Sequence, residues 1–178
     1  MPLGFVFAGV YLWLAHPSWL SIAFGGAIAM LGVCLRAVAS GHVKKNAELT
    51  MSGPYAYTRN PLYLGSLMIA VGFAAASLNP WVAVGIVIFF LAIYLPVIKS
   101  EEKFLAAAFP EFNDYARRVP RLLPRLGIGA ERGGEFSRSL YLQHREYNAL
   151  IGAALMMLAL SLKLIFHSGA GASHKSLW

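Results

Sequence analysis

Between residues 61 and 98 the chain runs for 38 residues without an Asp, Glu, Lys or Arg. As one helix, at roughly 1.5 Å per residue, that run would reach about 57 Å, near twice the roughly 30 Å hydrocarbon core of a bilayer. It therefore has to fold back, and Asn79 and Pro80 near its middle supply the turn. The pattern predicts a transmembrane helix over 61–78 and another from 81 into the charged segment that follows. Two further charge-free stretches, 1–35 and 147–162, point the same way. The first divides at His16, Pro17 and Ser18 into a helix over 3–15, short for a full crossing, and one over 19–40. A last apolar run, 147–166, supplies a fifth crossing. With 58% hydrophobic residues against 13% charged, too few polar groups remain to coat a water-facing globule, which excludes a simple soluble domain. The expected fold is all-α: a polytopic integral membrane protein with about five transmembrane helices.

Apolar segments recur to the end of the chain, so no removable secretory leader is expected. The single cysteine, Cys34, lies within an apolar run and offers neither an intrachain disulfide nor a Cys-based metal site. Of fifteen Lys and Arg, four lie between 36 and 59 and nine between 99 and 145. The positive-inside rule puts both basic segments in the cytoplasm and both hairpin tips outside, with the cell inner membrane as the expected location. The net charge of +7 then reflects topology and attraction to anionic lipid rather than a nucleic-acid partner.

Residues 51–65 set turn formers, three tyrosines, Arg59 and an Asn-Pro step against the start of a membrane helix. Asn60 suits an N-cap and Pro61 the first helical position. A helix start beside Arg59 can hold an anion such as a cofactor carboxylate or phosphate; it can equally be a capped helix with interfacial anchors. The stretch 99–109 is rich in helix formers and has no breaker before Pro110, so the helix after 81 should continue into the cytoplasm and carry Glu101 and Glu102 to the level of Arg59 and Tyr63. Those carboxylates suit ribose hydroxyls or an ammonium group, or else form a solvated face with Lys99. The segment 111–125 reads as a short amphipathic helix followed by a basic, proline-punctuated arm, for which membrane anchoring is the simplest account. Tyr141, His144, Arg145, Glu146 and Tyr147 form a second polar cluster, in which His144 is either a base or a solvated side chain. His42, Lys44 and Lys45 lead into the Gly-Pro-Tyr turn. No Gly-rich phosphate loop, metal-ligand spacing or Ser/His/Asp signature is present, so hydrolase and ATPase readings find no support.

Taken in order, Gly53-Pro54-Tyr55, Arg59-Asn60-Pro61-Leu62-Tyr63-Leu64-Gly65, Glu101-Glu102, Val119-Pro120 and Pro124 resemble the isoprenylcysteine carboxyl methyltransferase family. That family stands within a wider set of membrane methyltransferases that includes the phospholipid methyltransferases. The resemblance spans roughly residues 40–125. It implies S-adenosylmethionine bound at the cytoplasmic helix ends and a lipophilic or lipid-linked acceptor entering from the bilayer. By position, Ala47, Glu48, Leu49 and Thr50 would line the cofactor, with Tyr55 nearby and Lys45 as a polar contact. Arg59, Asn60, Pro61, Leu62 and Tyr63 match the family's Arg-His-Pro-x-Tyr segment, with Asn60 in place of histidine. Glu101 matches its cofactor-binding glutamate. Where eukaryotic members carry an arginine associated with the prenylcysteine carboxylate, this chain has Val97, with Lys99 the nearest substitute. A prenylated protein is therefore not the expected substrate. Arg59, Glu101 and Glu102 are the expected catalytic groups; an ammonium or alcohol acceptor would need a base, drawn from Glu101, Glu102 or His144. The chain is expected to be one membrane domain: a helical hairpin over 1–40, a cofactor-binding core over 41–125, and an interfacial helix, fifth crossing and tail over 126–178. The alternatives are an NADPH-dependent membrane reductase related to sterol reductases and a non-enzymatic membrane protein.

Overall fold

The computed structural model describes residues 2–43, 48–125 and 135–175, and every regular element among them is helical. Helix α1 (Pro2–Leu14) is followed by α2 (Trp19–Ser40), a 3-10 turn (Gly53–Ala56) and α3 (Pro61–Ser77). Next, α4 (Pro80–Phe89) passes through a π-helical segment (Phe90–Tyr94) into α5 (Leu95–Ala108). Then come α6 (Phe112–Arg118), α7 (Arg138–Gln143) and α8 (Tyr147–Lys175). The π segment has a local cause. Pro96 offers no N–H to the carbonyl of Ala92 and its ring crowds that carbonyl, so the ladder widens just ahead of it.

The expected breaks fall where the sequence marks them. Ser18 and Ser21 cap α2 reciprocally, each side-chain oxygen accepting from the other's backbone N–H at 3.1 and 2.9 Å. Leu78, left-handed at φ 50°, ends α3, and the side-chain oxygen of Asn79 accepts from the N–H of Trp81 at 2.9 Å to start α4. Among the described residues, three helices are long and apolar enough to cross a membrane: Trp19–Ser40, Pro80–Ala108 and Tyr147–Phe166. Phe5–Leu14 and Pro61–Ser77 are apolar but shorter. At 17 residues α3 spans only about 26 Å, because Pro61 and Leu78 bound it. The lateral faces carry large apolar side chains such as Leu20, 81% exposed, and Trp81, 73% exposed, a surface suited to contact with lipid.

Helix α2 packs most extensively against α3 rather than forming a closed hairpin with α1. Gly25 faces Gly72 and Gly32 faces Gly65, a spacing of seven on both antiparallel helices. A Cβ on Gly32 would stand 2.6 Å from the Gly65 carbonyl oxygen, so bare backbones set the approach. At the far end, the last carbonyls of α1 are satisfied from elsewhere: Lys163 Nζ of α8 donates to Leu12 O and Ala15 O, both at 2.6 Å, and Asn79 Nδ2 to Leu14 O at 2.8 Å.

Candidate functional site

The opposite end of the bundle gathers the start of α3, the end of α5, the 3-10 turn and α6. Gly53 takes φ +58°, and a Cβ there would meet the His42 ring at 2.6 Å, so glycine is required for the turn into Pro54. Tyr55 follows, buried, with its carbonyl accepting from the Tyr115 hydroxyl at 2.7 Å. Burial pushes both phenols above their ordinary pKa; for Tyr55 the Glu101 carboxylate adds to the effect, and for Tyr115 the Arg59 guanidinium opposes it. Phe112, Tyr115 and Val119 form the small core beneath, packed against Leu49, Met51 and Leu105.

Residues 57–60 run alongside the arm 119–125. Arg59 N donates to Pro120 O at 2.9 Å, Thr58 Oγ1 to Leu122 O at 2.9 Å, and Arg125 N to Tyr57 O at 3.2 Å. Asn60 is the N-cap residue of α3 by position, yet its side chain makes no cap bond. Its Nδ2 instead donates to Arg121 O at 2.9 Å and Glu102 Oε1 at 3.1 Å. Arg121 closes the same group, with Nε 2.9 Å and NH2 2.8 Å from Glu102 Oε2, and Arg59 NH2 lies 3.5 Å from Oε1. The arm is thus tied to the site by its backbone and by Arg121, where membrane anchoring alone had been the simplest account.

The two neighbouring glutamates differ. Glu102 is 8% exposed and its two oxygens serve Asn60, Arg59 and Arg121, whereas Glu101 is exposed and accepts one bond from the Tyr63 hydroxyl at 2.8 Å. Successive helical residues point about 100° apart, so only one can face the junction with α3. Of the two alternatives left open for Glu102, the solvated face with Lys99 does not hold: Glu102 is buried in the pocket lining with both oxygens engaged.

One pocket brings together Glu48, Leu49, Thr50, Tyr55, Arg59, Asn60, Pro61, Leu62, Tyr63, Glu101 and Glu102, with Phe104, Phe112 and Tyr115 completing its aromatic wall. Arg59 lies with its Cζ 5.9 Å from the Phe112 ring centre, and its Nε is buried with no hydrogen-bond partner among the described residues. Lys45 and Ala47 fall outside the described residues. Val97 and Lys99 are exposed on α5 and do not line the pocket. His144 lies at the end of α7, with Nδ1 3.1 Å from Ser40 O, also away from the lining. Sequence reasoning missed Arg121, Tyr115 and Phe112 as site residues. The resemblance pointed to the neighbouring Val119-Pro120, but nothing local marks Arg121 as the partner of a buried carboxylate.

Residues 30–111 match the model of the phospholipid methyltransferase family. This segment, a little under half of the chain, is similar to the phospholipid methyltransferase family. It holds most of the pocket, from Glu48 to Leu105, and bears out the resemblance to membrane methyltransferases. The chain is also similar to the cobalt-zinc-cadmium resistance protein CzcN of Cupriavidus metallidurans, 40% identical over 57% of this chain and 50% of that protein. It is 36% identical to the nickel-cobalt-cadmium resistance protein NccN of Alcaligenes xylosoxydans xylosoxydans, over 71% of this chain and 59% of that protein. The chain thus spans between half and three-fifths of these curated relatives. No solved structure matches it.

Proposed function

We propose that this chain is an integral membrane methyltransferase that uses S-adenosylmethionine and modifies a lipophilic or amphiphilic acceptor arriving from the bilayer. The observation that carries the reading is Arg59: within the family-matched segment, it lines the pocket with a buried Nε that finds no hydrogen-bond partner among the described residues. Such a donor suits a ligand carboxylate. Glu101 suits an ammonium group or ribose hydroxyls, and the aromatic wall of Tyr55, Tyr63, Phe104 and Tyr115 suits a planar ring and a cationic sulfur. The donor set therefore fits the cofactor.

When bound, the cofactor supplies an already activated sulfonium methyl group, so the protein needs no nucleophile of its own. Its residues would orient the cofactor and exclude water: Arg59 would hold its carboxylate and Glu101 its ammonium group or ribose hydroxyls, with the segment 57–60 braced by the arm 119–125. For an amine or alcohol acceptor, Glu101 is the group placed to take a proton, since both oxygens of Glu102 are engaged. Calorimetry on detergent-purified protein tests this: S-adenosylmethionine should bind and NADPH should not. The reverse would favour a reductase, and silence with both a non-enzymatic protein.

The orientation we propose has five crossings, the pocket in the cytoplasm and the inner membrane as host. In a Cys34→Ala background, His16→Cys and Arg117→Cys should label from opposite sides of sealed vesicles; labelling from one side sinks the topology. The relatives named for metal resistance favour a second, compatible reading, in which methylation serves metal tolerance. The site's carboxylates are engaged by guanidinium and phenol groups rather than grouped as ligands, so that link would run through the methylated acceptor. A deletion strain complemented by the parent but not by Glu101→Ala would support it.

A further inference from the structure

A second charged group lies between α2, α3 and the turn into α8. Arg36 Nε and NH2 donate to Glu146 Oε2 and Oε1, both at 2.9 Å, in a two-point pair whose side chains are 23% and 11% exposed. The remaining nitrogen, NH1, donates to Leu62 O at 3.2 Å and to the Ser66 hydroxyl, which itself donates to Leu62 O at 3.1 Å. Leu62 and Tyr63 are pocket wall. The Arg36 stem lies against Gly65, where a Cβ would meet its Cγ at 2.6 Å, so this glycine makes room for the guanidinium at the first turns of α3.

The α8 side is held with equal care. Arg145 adopts φ 54°, a costly conformation for a non-glycine residue, immediately before Glu146. On its other flank the His144 ring is 3.1 Å from Ser40 O at the end of α2. Both members of the pair are near enough to act on Tyr55, the Glu146 carboxylate raising its pKa and the Arg36 guanidinium lowering it. Glu146 lies beyond the family-matched segment, which ends at residue 111.

We propose that Arg36 and Glu146 are positioning residues for the pocket: the strained turn before α8 presents Glu146, Glu146 fixes the guanidinium of Arg36, and Arg36 fixes the Leu62-Tyr63 wall at the head of α3. Helix α8 is thereby part of the site without lining it. The inference rests on the methyltransferase reading only for its effect on cofactor affinity.

The test compares Glu146→Gln, Arg36→Lys and the parent by hydrogen exchange in detergent, well below their melting temperatures. Exchange of the amides of residues 64–67 should quicken about tenfold or more in both variants, while residues 70–76 of the same helix stay within about twofold. Affinity for S-adenosylmethionine should fall by about tenfold in parallel. Arg36→Lys matters because it keeps the charge but cannot form the two-point pair. Faster exchange confined to the start of α8, with residues 64–67 unchanged, would overturn the proposal and leave the pair a simple anchor. A parent protein that binds no S-adenosylmethionine, with the exchange pattern as expected, would remove the methyltransferase reading and leave the clamp standing.

Discussion

Replacing each of the two adjacent glutamates by alanine should give opposite results. In Glu102→Ala the carboxylate that balances Arg59 and Arg121 disappears, with side-chain exposures of 10%, 12% and 43% respectively. Breaking a buried pair typically costs about 3 to 5 kcal/mol, because the surviving charge stays desolvated. Arg121 can turn into water, so its share is discounted, and Arg59 carries most of the penalty. The expected loss is about 3 kcal/mol of unfolding free energy, measured by SDS-driven unfolding in mixed micelles. Glu101 is exposed with one bond to Tyr63, so Glu101→Ala should cost less than about 1 kcal/mol in the same assay. Its effect belongs in calorimetry, where S-adenosylmethionine affinity should fall roughly ten- to a hundredfold. If Glu102→Ala unfolds within about 0.5 kcal/mol of the parent, or if Glu101→Ala is the less stable of the two, the division of labour drawn from the hydrogen bonds is wrong.

Gly32→Ala drives a Cβ into the Gly65 carbonyl and the Ile69 N–H across the α2–α3 contact and should cost about 1 to 3 kcal/mol, whereas Gly85→Ala, with nothing within 4 Å, should be neutral or better; equal effects would mean the helices do not meet there. Asn60→Ala removes bonds to Glu102 and to the arm and should make the arm 119–125 cleavable by low trypsin at Arg121; unchanged protection would show that the backbone bonds suffice. Tyr55 and Tyr115 have folded pKa values above the ordinary 10.0, so from about pH 10 upward the unfolded state sheds protons that the folded state keeps. Their contribution to stability is complete below that pH and declines above it. The slope of unfolding free energy against pH between 9 and 11 should be shallower in Tyr115→Phe, and an unchanged slope would place the relevant phenols elsewhere.

The helices were legible because bilayer burial forbids charge and the turns need Pro, Asn and Ser, so α2, the long α4–α5 run and α8 follow from charge-free stretches and their interruptions. The pocket was legible only through an ordered set of motifs. What stayed hidden was pairing at long range. Glu101 and Glu102 are the same residue type side by side, and only the position of Asn60 and Arg121 decides which is buried. Arg121 sits in an arm whose composition suits a lipid surface as well as a carboxylate. Arg36 and Glu146 are 110 residues apart, and no local pattern connects them. The glycine spacing that pairs α2 with α3 is present in the sequence, but equal intervals on two helices mean contact only once antiparallel neighbours are known.

Charge balance shows why the segment beyond residue 111 belongs to the site. Within residues 30–111, Glu102 would keep Arg59 alone as its cation, at 3.5 Å and without the two close bonds from Arg121. Arg36, on an apolar helix, would keep only a carbonyl and a hydroxyl, and a guanidinium in such surroundings demands an anion. The arm supplies the first missing partner and the turn before α8 the second. Each arrives on a different element and each ends on the first turns of α3, from Asn60 to Ser66. The head of that helix is thus held from two sides by charges that neutralise one another, while Arg59 Nε, with no hydrogen-bond partner among the described residues, and the exposed Glu101 stand in the lining of the pocket beside it.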